Sequence, residues 1–300
     1  MVKFAVRNYI IDKVRKFKPF SLTLKGELIE FNRPQVMGIL NITPDSFYSK
    51  SRTTEISAIA DRIRQMIENG ADMIDIGAYS SRPGAEDVSP AEECRRLESG
   101  MKILRDISSD IPVSVDTFRS DVAREAVTNL GVNIINDISG GDLDNNMYKT
   151  VAELNVPYIV MHMRGTPATM ADLTQYKNVT ADVVKDLSTK VNKLALAGVN
   201  DVIVDPGFGF SKTIDQNYEL MKHLEVFHAL ERPLLVGISR KSMIYCPLST
   251  DPENSLNGTT ILNTVSLLAG ASILRVHDVK EAAEAVKITR LIYYPSSNQQ

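Results

Sequence analysis

A set of polar side chains stands at or just beyond the ends of short apolar runs. Asn41 follows "MGIL", Asp116 closes "SVD" and Asn136 lies in "NDIS". Asp205 opens "DPGFGF", Ser239 and Lys241 share "ISRKS", and Arg275 and His277 share "RVHD". A carboxylate accepts two N–H bonds and an amide both donates and accepts, so Asp and Asn together can read the edge of a flat heterocycle. Arg275, His277 and Arg82 of "SSRPGA" can hold an anion. Asn41 offers an oxygen to a hard cation such as Mg²⁺, which prefers oxygen ligands and keeps several waters. The mixture suits a planar polar heterocycle beside a phosphate group. Zinc chemistry has no support, because there is no Cys/His cluster and no HExxH. A serine hydrolase is equally unsupported, since Ser239 sits in no GxSxG elbow. Taken singly, each residue has a plainer use. An Asp at a strand end is often a turn residue or an N-cap. Met161 in "MHMRG" would be core filler, and His223 and His228 are expected to be ordinary helix residues. It is their recurrence at the same end of successive strands that points to a site.

That recurrence needs elements to carry it. β-prone runs occur at Val36–Leu40, Met73–Ile76, Pro112–Val115, Asn133–Ile135, Pro157–Met161, Asp201–Val204, Pro233–Ile238 and Ser272–Val276. Each is nearly continuous in apolar character, the mark of parallel strands covered on both faces. Between them lie stretches with helical spacing, such as "EISAIADRIRQMIENG" and "DVVKDLSTKVNKLALAG", each ending in a glycine stop. Eight strand–helix units predict an α/β fold, a (β/α)₈ TIM barrel in which the strand ends converge on one mouth. The rival, an open doubly wound sheet, requires a glycine fingerprint at its first turn; "GILNITPD" has none. Residues 1–34 fall outside the alternation, and "SLTLKGELIEF" predicts a β-hairpin plugging the barrel bottom. The barrel is expected over 35–292 and a frayed tail over 293–300. Residues 43–54, a long polar loop after the first barrel strand, exceed the usual strand–helix connection.

Composition bounds the rest. The 300 residues are 43% hydrophobic and 24% charged, as in soluble globular proteins. A net charge of −3 gives no basic surplus for a nucleic-acid partner, and no apolar run approaches the roughly 20 residues of a membrane helix. The first residues do not form a signal peptide. The two cysteines, Cys94 and Cys246, have neither metal-binding nor redox spacing, so a reducing cytoplasm is the simplest setting.

With these residues placed, the sequence closely resembles the dihydropteroate synthases of folate biosynthesis. The matching stretches are "MGILNITPDSF", "DIGAYSSRPGA", "SVDTF", "INDISGG", "MHMRGTP", "DPGFGFSK", "GISRKSMI" and "ILRVHDV", in order across roughly residues 35 to 280. The resemblance implies condensation of 6-hydroxymethyl-7,8-dihydropterin diphosphate with 4-aminobenzoate, aided by Mg²⁺, through dissociative loss of diphosphate. It implies that Asp116, Asn136, Met161, Asp205 and Lys241 line a pterin pocket, with Asp116 stabilising the cation left when diphosphate departs. Asn41 would carry Mg²⁺ and diphosphate, with Arg275 and His277 assisting. Phe47, Ser81, Arg82, Pro83, Phe210 and Ser239 would surround the aminobenzoate, with residues 43–54 as a lid. A homodimer would suit the family. The chain departs from the family pattern where "PDSFYSKSRT" replaces the common "PDSFSDGG", bringing Ser49, Lys50, Ser51 and Arg52. It departs again where Tyr79 and Ser81 stand for Glu and Thr in "GESTRPGA". Two other functions fit parts of the pattern. One is a pterin-binding methyltransferase domain serving a corrinoid, which would have no use for the anion-holding motifs. The other is a pterin-binding relative without catalysis.

Overall fold

The computed structural model describes residues 17–42, 52–79 and 88–293. Eight parallel strands form its centre: β3 (Gln35–Asn41), β4 (Met73–Gly77), β5 (Val113–Asp116), β6 (Ile134–Asp137), β7 (Tyr158–Met161), β8 (Val202–Asp205), β9 (Leu235–Val236) and β10 (Ile273–Val276). Their order is β8-β7-β6-β5-β4-β3-β10-β9, and a parallel bridge between Val204 and Leu234 joins the two ends of the row. Helices follow the strands and cover the outside, giving the expected (β/α)₈ barrel.

Alternation along each strand sorts the residues into two populations. Val36, Ile74, Val113, Val115, Ile135, Val160, Val204 and Leu274 pack with the helices. Met37, Met73, Ile134, Ile159, Ile203, Leu235 and Ile273 form a separate cluster inside the barrel. That inner cluster is an apolar floor. Leu22, Leu24 and Phe31 belong to it, so the antiparallel hairpin β1 (Phe20–Leu24) and β2 (Glu27–Phe31) seals the barrel bottom as expected. Lys25 and Gly26 at its turn have φ of 54° and 81°, the positive values that a two-residue hairpin turn requires.

Three local expectations change. The strand expected over Pro233–Ile238 is only Leu235–Val236, because the chain leaves the ladder at Gly237 to carry Ser239 and Lys241 over the mouth. The helix expected from Glu55 begins at Arg52, so residues 52–54 of the presumed lid are its first turn. The last helix, Val279–Tyr293, reaches one residue into the expected tail. Residues 1–16, 43–51, 80–87 and 294–300 lie outside the described residues, and with them most of the expected lid.

Leu22 is 1% exposed within the floor. Leu22→Ala should therefore lower stability by about 2–4 kcal/mol, the range for emptying a well-packed core position. Urea unfolding checks this; an unchanged midpoint would mean that the hairpin is not part of the barrel core.

Candidate active site

Two residues above the apolar floor, the inward position turns polar on five of the eight strands. β4 contributes Asp75, β5 Asp116, β6 Asn136, β8 Asp205 and β10 Arg275. The parallel register aligns Asn41 with Gly77, Gly77 with Asp116 and Asp116 with Asn136. Gly77 carries no side chain into the gap between Asn41 and Asp116. Adjacent residues divide by alternation. Asn136 faces in, whereas Asp137 is buried on the other side, accepting from Ser139 N, Ser139 Oγ, Gly141 N and Tyr158 Oη at 2.7–2.9 Å.

Arg275 is the hub. Its Nε donates to Asp75 Oδ2 at 2.6 Å and an Nη donates to Asp116 Oδ2 at 2.7 Å. Asn136 Nδ2 donates to the same Asp75 oxygen at 3.0 Å. Burial opposes the charge on Arg275, but the two carboxylates outweigh it and raise its pKa. Asp75 is fully buried, and its Oδ1 has no hydrogen-bond partner among the described residues. Asp116 stands nearer the mouth, with its side chain 22% exposed. Burial pushes its carboxyl up to about 7; Arg275 opposes that rise and neighbouring Asp75 adds to it.

The other wall is built from β7, β8 and the loop after β9. Met161 pairs in register with Asp205 and packs with Met163, Met170 and Phe210. Burial raises the Asp205 carboxyl, with Lys241 opposing. Gly207 N donates to Asp205 Oδ1 at 2.7 Å. Gly207 has a φ of 70°, and a Cβ there would fall 2.0 Å from His162 O, so only glycine fits. Lys241 donates to Phe208 O, and its Nζ lies 4.6 Å from the Phe210 ring centre. Burial lowers its pKa to about 8, against the pull of Asp205.

At the rim, Ser239 Oγ accepts from His277 N at 3.1 Å and lies 3.2 Å from His277 Nδ1. Burial, then Arg275, lowers the His277 pKa to about 4. The ring is therefore neutral near pH 7. A Ser239 hydroxyl donating to Nδ1 leaves the remaining hydrogen on Nε2, a tautomer assigned from the bonding pattern.

Asn41, Asp116, Asn136, Met161, Asp205, Lys241, Arg275, His277, Phe210 and Ser239 thus come from the C-terminal ends of the strands or the loops just beyond, at one mouth. Ser239 is buried, its hydroxyl bound to His277. Phe47, Ser81, Arg82 and Pro83 lie outside the described residues. Asp75 is legible in the sequence as the polar group of the second strand, but no specific contact is expected of it, although it supplies the most buried carboxylate of this layer. The available signal was an acid embedded in the otherwise apolar "MIDIG", too far inside the strand to be a turn residue.

The family model for pterin binding enzymes matches residues 37–277. A dihydropteroate synthase of Clostridium beijerinckii is 42% identical in an alignment 269 positions long that covers 88% of this chain and 97% of that protein. The chain belongs to the dihydropteroate synthase family. It is therefore an enzyme, a transferase of folate biosynthesis. Solved structures agree. The Xanthomonas albilineans dihydropteroate synthase with 4-aminobenzoic acid superposes with a TM-score of 0.84 at 34% identity, covering 92% of this chain and 99% of that one. The Yersinia pestis dihydropteroate synthase in complex with a sulfonamide drug also gives 0.84, at 36% identity, covering 91% and 99%. None of these relatives favours the methyltransferase or non-catalytic alternative.

Replacing Arg275 tests its place as hub. Arg275→Gln leaves Asp75 and Asp116 buried without their cation, and stability should fall by about 3–5 kcal/mol. Adding Asp75→Asn should recover part of that loss. Chemical denaturation of the two variants measures both effects, and equal stability of wild type and Arg275→Gln would remove Arg275 from the centre of the site.

Proposed function

We propose that this chain joins 6-hydroxymethyl-7,8-dihydropterin diphosphate to 4-aminobenzoate, giving 7,8-dihydropteroate and diphosphate. The observation that carries this reading is the inward layer of carboxylate, amide and guanidinium over an apolar floor, with one buried Asp75 oxygen still lacking a donor. A flat ring bearing several N–H groups fits such a layer, because its faces meet apolar groups and its edge meets acceptors.

In this reading Asp205 and Asn136 bind the pterin edge, Met161 packs on the ring, and Lys241 closes the pocket from the loop after β9. The C–O bond to diphosphate breaks first, and its electron pair leaves with the diphosphate. The methylene cation that remains is shared with the ring and faces Asp116, whose carboxylate stabilises it as an oxyanion hole does, with the signs reversed. Aminobenzoate nitrogen then forms the new C–N bond with its lone pair and releases one proton to water. An aromatic amine is already a neutral nucleophile, so no strong base is needed. His277 serves the diphosphate as a neutral Nε2–H donor. Arg275 contributes the N–H groups not engaged by Asp75 and Asp116.

Mg²⁺ fits this site. Among the described residues no group of three or more His, Cys, Asp or Glu could hold a metal, while Asn41 presents a neutral amide oxygen at the exposed end of β3. A cation that keeps its waters and binds through substrate phosphates needs little more from the protein. When bound, it supplies charge neutralisation for the leaving diphosphate. Phe210 covers the aminobenzoate ring. Ser239 acts through His277, and Phe47, Ser81, Arg82 and Pro83 complete the second-substrate side.

The chain is further proposed to act as a homodimer in the cytoplasm. No helix among the described residues is long and apolar enough to cross a membrane. Cys94 and Cys246 are free thiols, as a reducing compartment requires. Exposed Ile261 and Val265 form one stripe on the helix Leu256–Leu268, and exposed Ile288, Leu291 and Ile292 form another on Val279–Tyr293. These two helices pack side by side, and together they offer a second copy an apolar face.

The reaction is checked by mixing the purified protein with both substrates and Mg²⁺ and measuring diphosphate and dihydropteroate in equal amounts. Absence of either product overturns the proposal. The pH dependence has a definite sign. Below about pH 7 Asp116 holds a proton in the empty site, and a pterin that needs the carboxylate must displace it. Pterin affinity should fall by up to roughly tenfold per unit below that pH and level off above it. Calorimetry in buffers of different ionisation enthalpy should detect the released proton, and Asp116→Asn should remove the part of the pH dependence centred near 7, leaving any contribution of Asp205.

A further inference from the structure

The loop that carries Phe208 and Phe210 is held from below by a lysine with no part in the reaction just described. The loop leaves β8 at Asp205 and ends at Thr213, which caps the helix Ile214–Lys222 in a reciprocal box with Gln216. Between these anchors Gly207, Gly209 and Ser211 have φ of 70°, 79° and 47°. Three left-handed residues in so short a segment leave the loop little preference of its own, so its shape depends on outside contacts.

Lys212 supplies them. It is 8% exposed, and its Nζ donates to Gly207 O at 2.8 Å and to Phe210 O at 2.9 Å. The same nitrogen lies 3.0 Å from Nδ1 of His162, a buried ring whose pKa burial, then Lys212, depresses to about 2. The three partners account for all three positions around the nitrogen. Lys241 grips the loop at its middle carbonyl, Phe208 O, and lies against the Phe210 ring. Asn217 Oδ1 accepts from Gly209 N at 2.7 Å. No salt bridge to Lys212 occurs among the described residues, whereas another buried lysine, Lys190, pairs with Asp142 at 2.7 Å. A buried amine held by carbonyls and an imidazole is costly compared with an apolar side chain of the same length. Stability alone would be better served by methionine.

We infer that Lys212 is a positioning residue. It fixes the carbonyls of Gly207 and Phe210 so that the Phe210 ring, lying against the Lys241 side chain, is held on the aminobenzoate side of the mouth. The inference rests on the proposed reaction only in taking aminobenzoate as the second substrate. It weights the two halves of the site unequally. Asp75, Asp116, Asn136 and Arg275 stand on other strands, whereas Asp205 touches this loop through Gly207 N.

The test uses Lys212→Met, which removes every donor, and Lys212→Gln, which keeps two N–H groups on a shorter side chain. Both are compared with the full-length wild-type protein. A Michaelis constant does not depend on the fraction of protein that is folded, so it separates positioning from mere stability. Misplacement by a fraction of an ångström should raise the aminobenzoate KM by about tenfold or more in Lys212→Met and by less in Lys212→Gln, with pterin affinity, which feels the loop only through Asp205 and Lys241, changed several-fold less. Hydrogen exchange should rise over residues 206–211 and not over 134–137, a readout that holds even if wild type forms no dihydropteroate. That last result would count against the proposed reaction and leave the loop contact standing. The inference is overturned if exchange over 206–211 is unchanged, or if it rises while the aminobenzoate KM does not. It is equally overturned if both substrates are lost in parallel, or if neither variant folds, since the lysine then serves stability alone.

Discussion

One cation organises the interior of this barrel. Arg275 stands where three acidic side chains, Asp75, Asp116 and Asp205, face inward, and it bonds two of them directly. Without it, carboxylates at this depth would have to take up protons, because a charge removed from water costs several kcal/mol unless it is paired. With it, Asp75 and Asn136 are fixed by a shared oxygen, and Asp116 is left at the boundary between charged and neutral. The pocket therefore has its acceptors pre-oriented before any ligand arrives, which reduces the reorganisation needed at the moment of reaction. The cost is a site that destabilises the protein containing it, offset by the extensive apolar packing of strands against helices.

The same side chain shows where sequence reasoning stops. Its residue type at a strand end suggested an anion holder, and both readings use its positive charge. The structure adds that two of its donor atoms are already engaged by carboxylates, a fact that depends on residues 200 and 159 positions away in the chain. No local pattern reports such a pairing. Ser239 is similar: its type was legible, but its commitment to His277 follows from how β9 and β10 lie side by side.

The fold itself was readable because barrels repeat one physical rule. Strands buried on both faces must be apolar, helices between them must be amphipathic, and both textures are visible in one dimension. The site was readable for a related reason: a polar residue at the end of a buried strand has to be explained, and here nearly every strand has one. Asp75 was legible as the second strand's acid, but an apolar neighbour on each side hides which way it points. Alternation resolves this once one inward residue is known, since Met73 on the floor places Asp75 two steps above it. β9 shortened for a reason that composition does not show. Its apolar residues continue past Val236, but the chain has already turned to deliver Lys241.

The hairpin beneath the floor has a consequence for traffic. A barrel sealed at one end by Leu22, Leu24 and Phe31 is a blind well with a single opening. Whatever rests against the polar layer has to arrive before anything that sits above it, and has to wait for that upper occupant to leave or to depart joined to it. Under the proposed reaction, loading becomes a queue imposed by shape, with no need for a signal between the pterin and aminobenzoate seats.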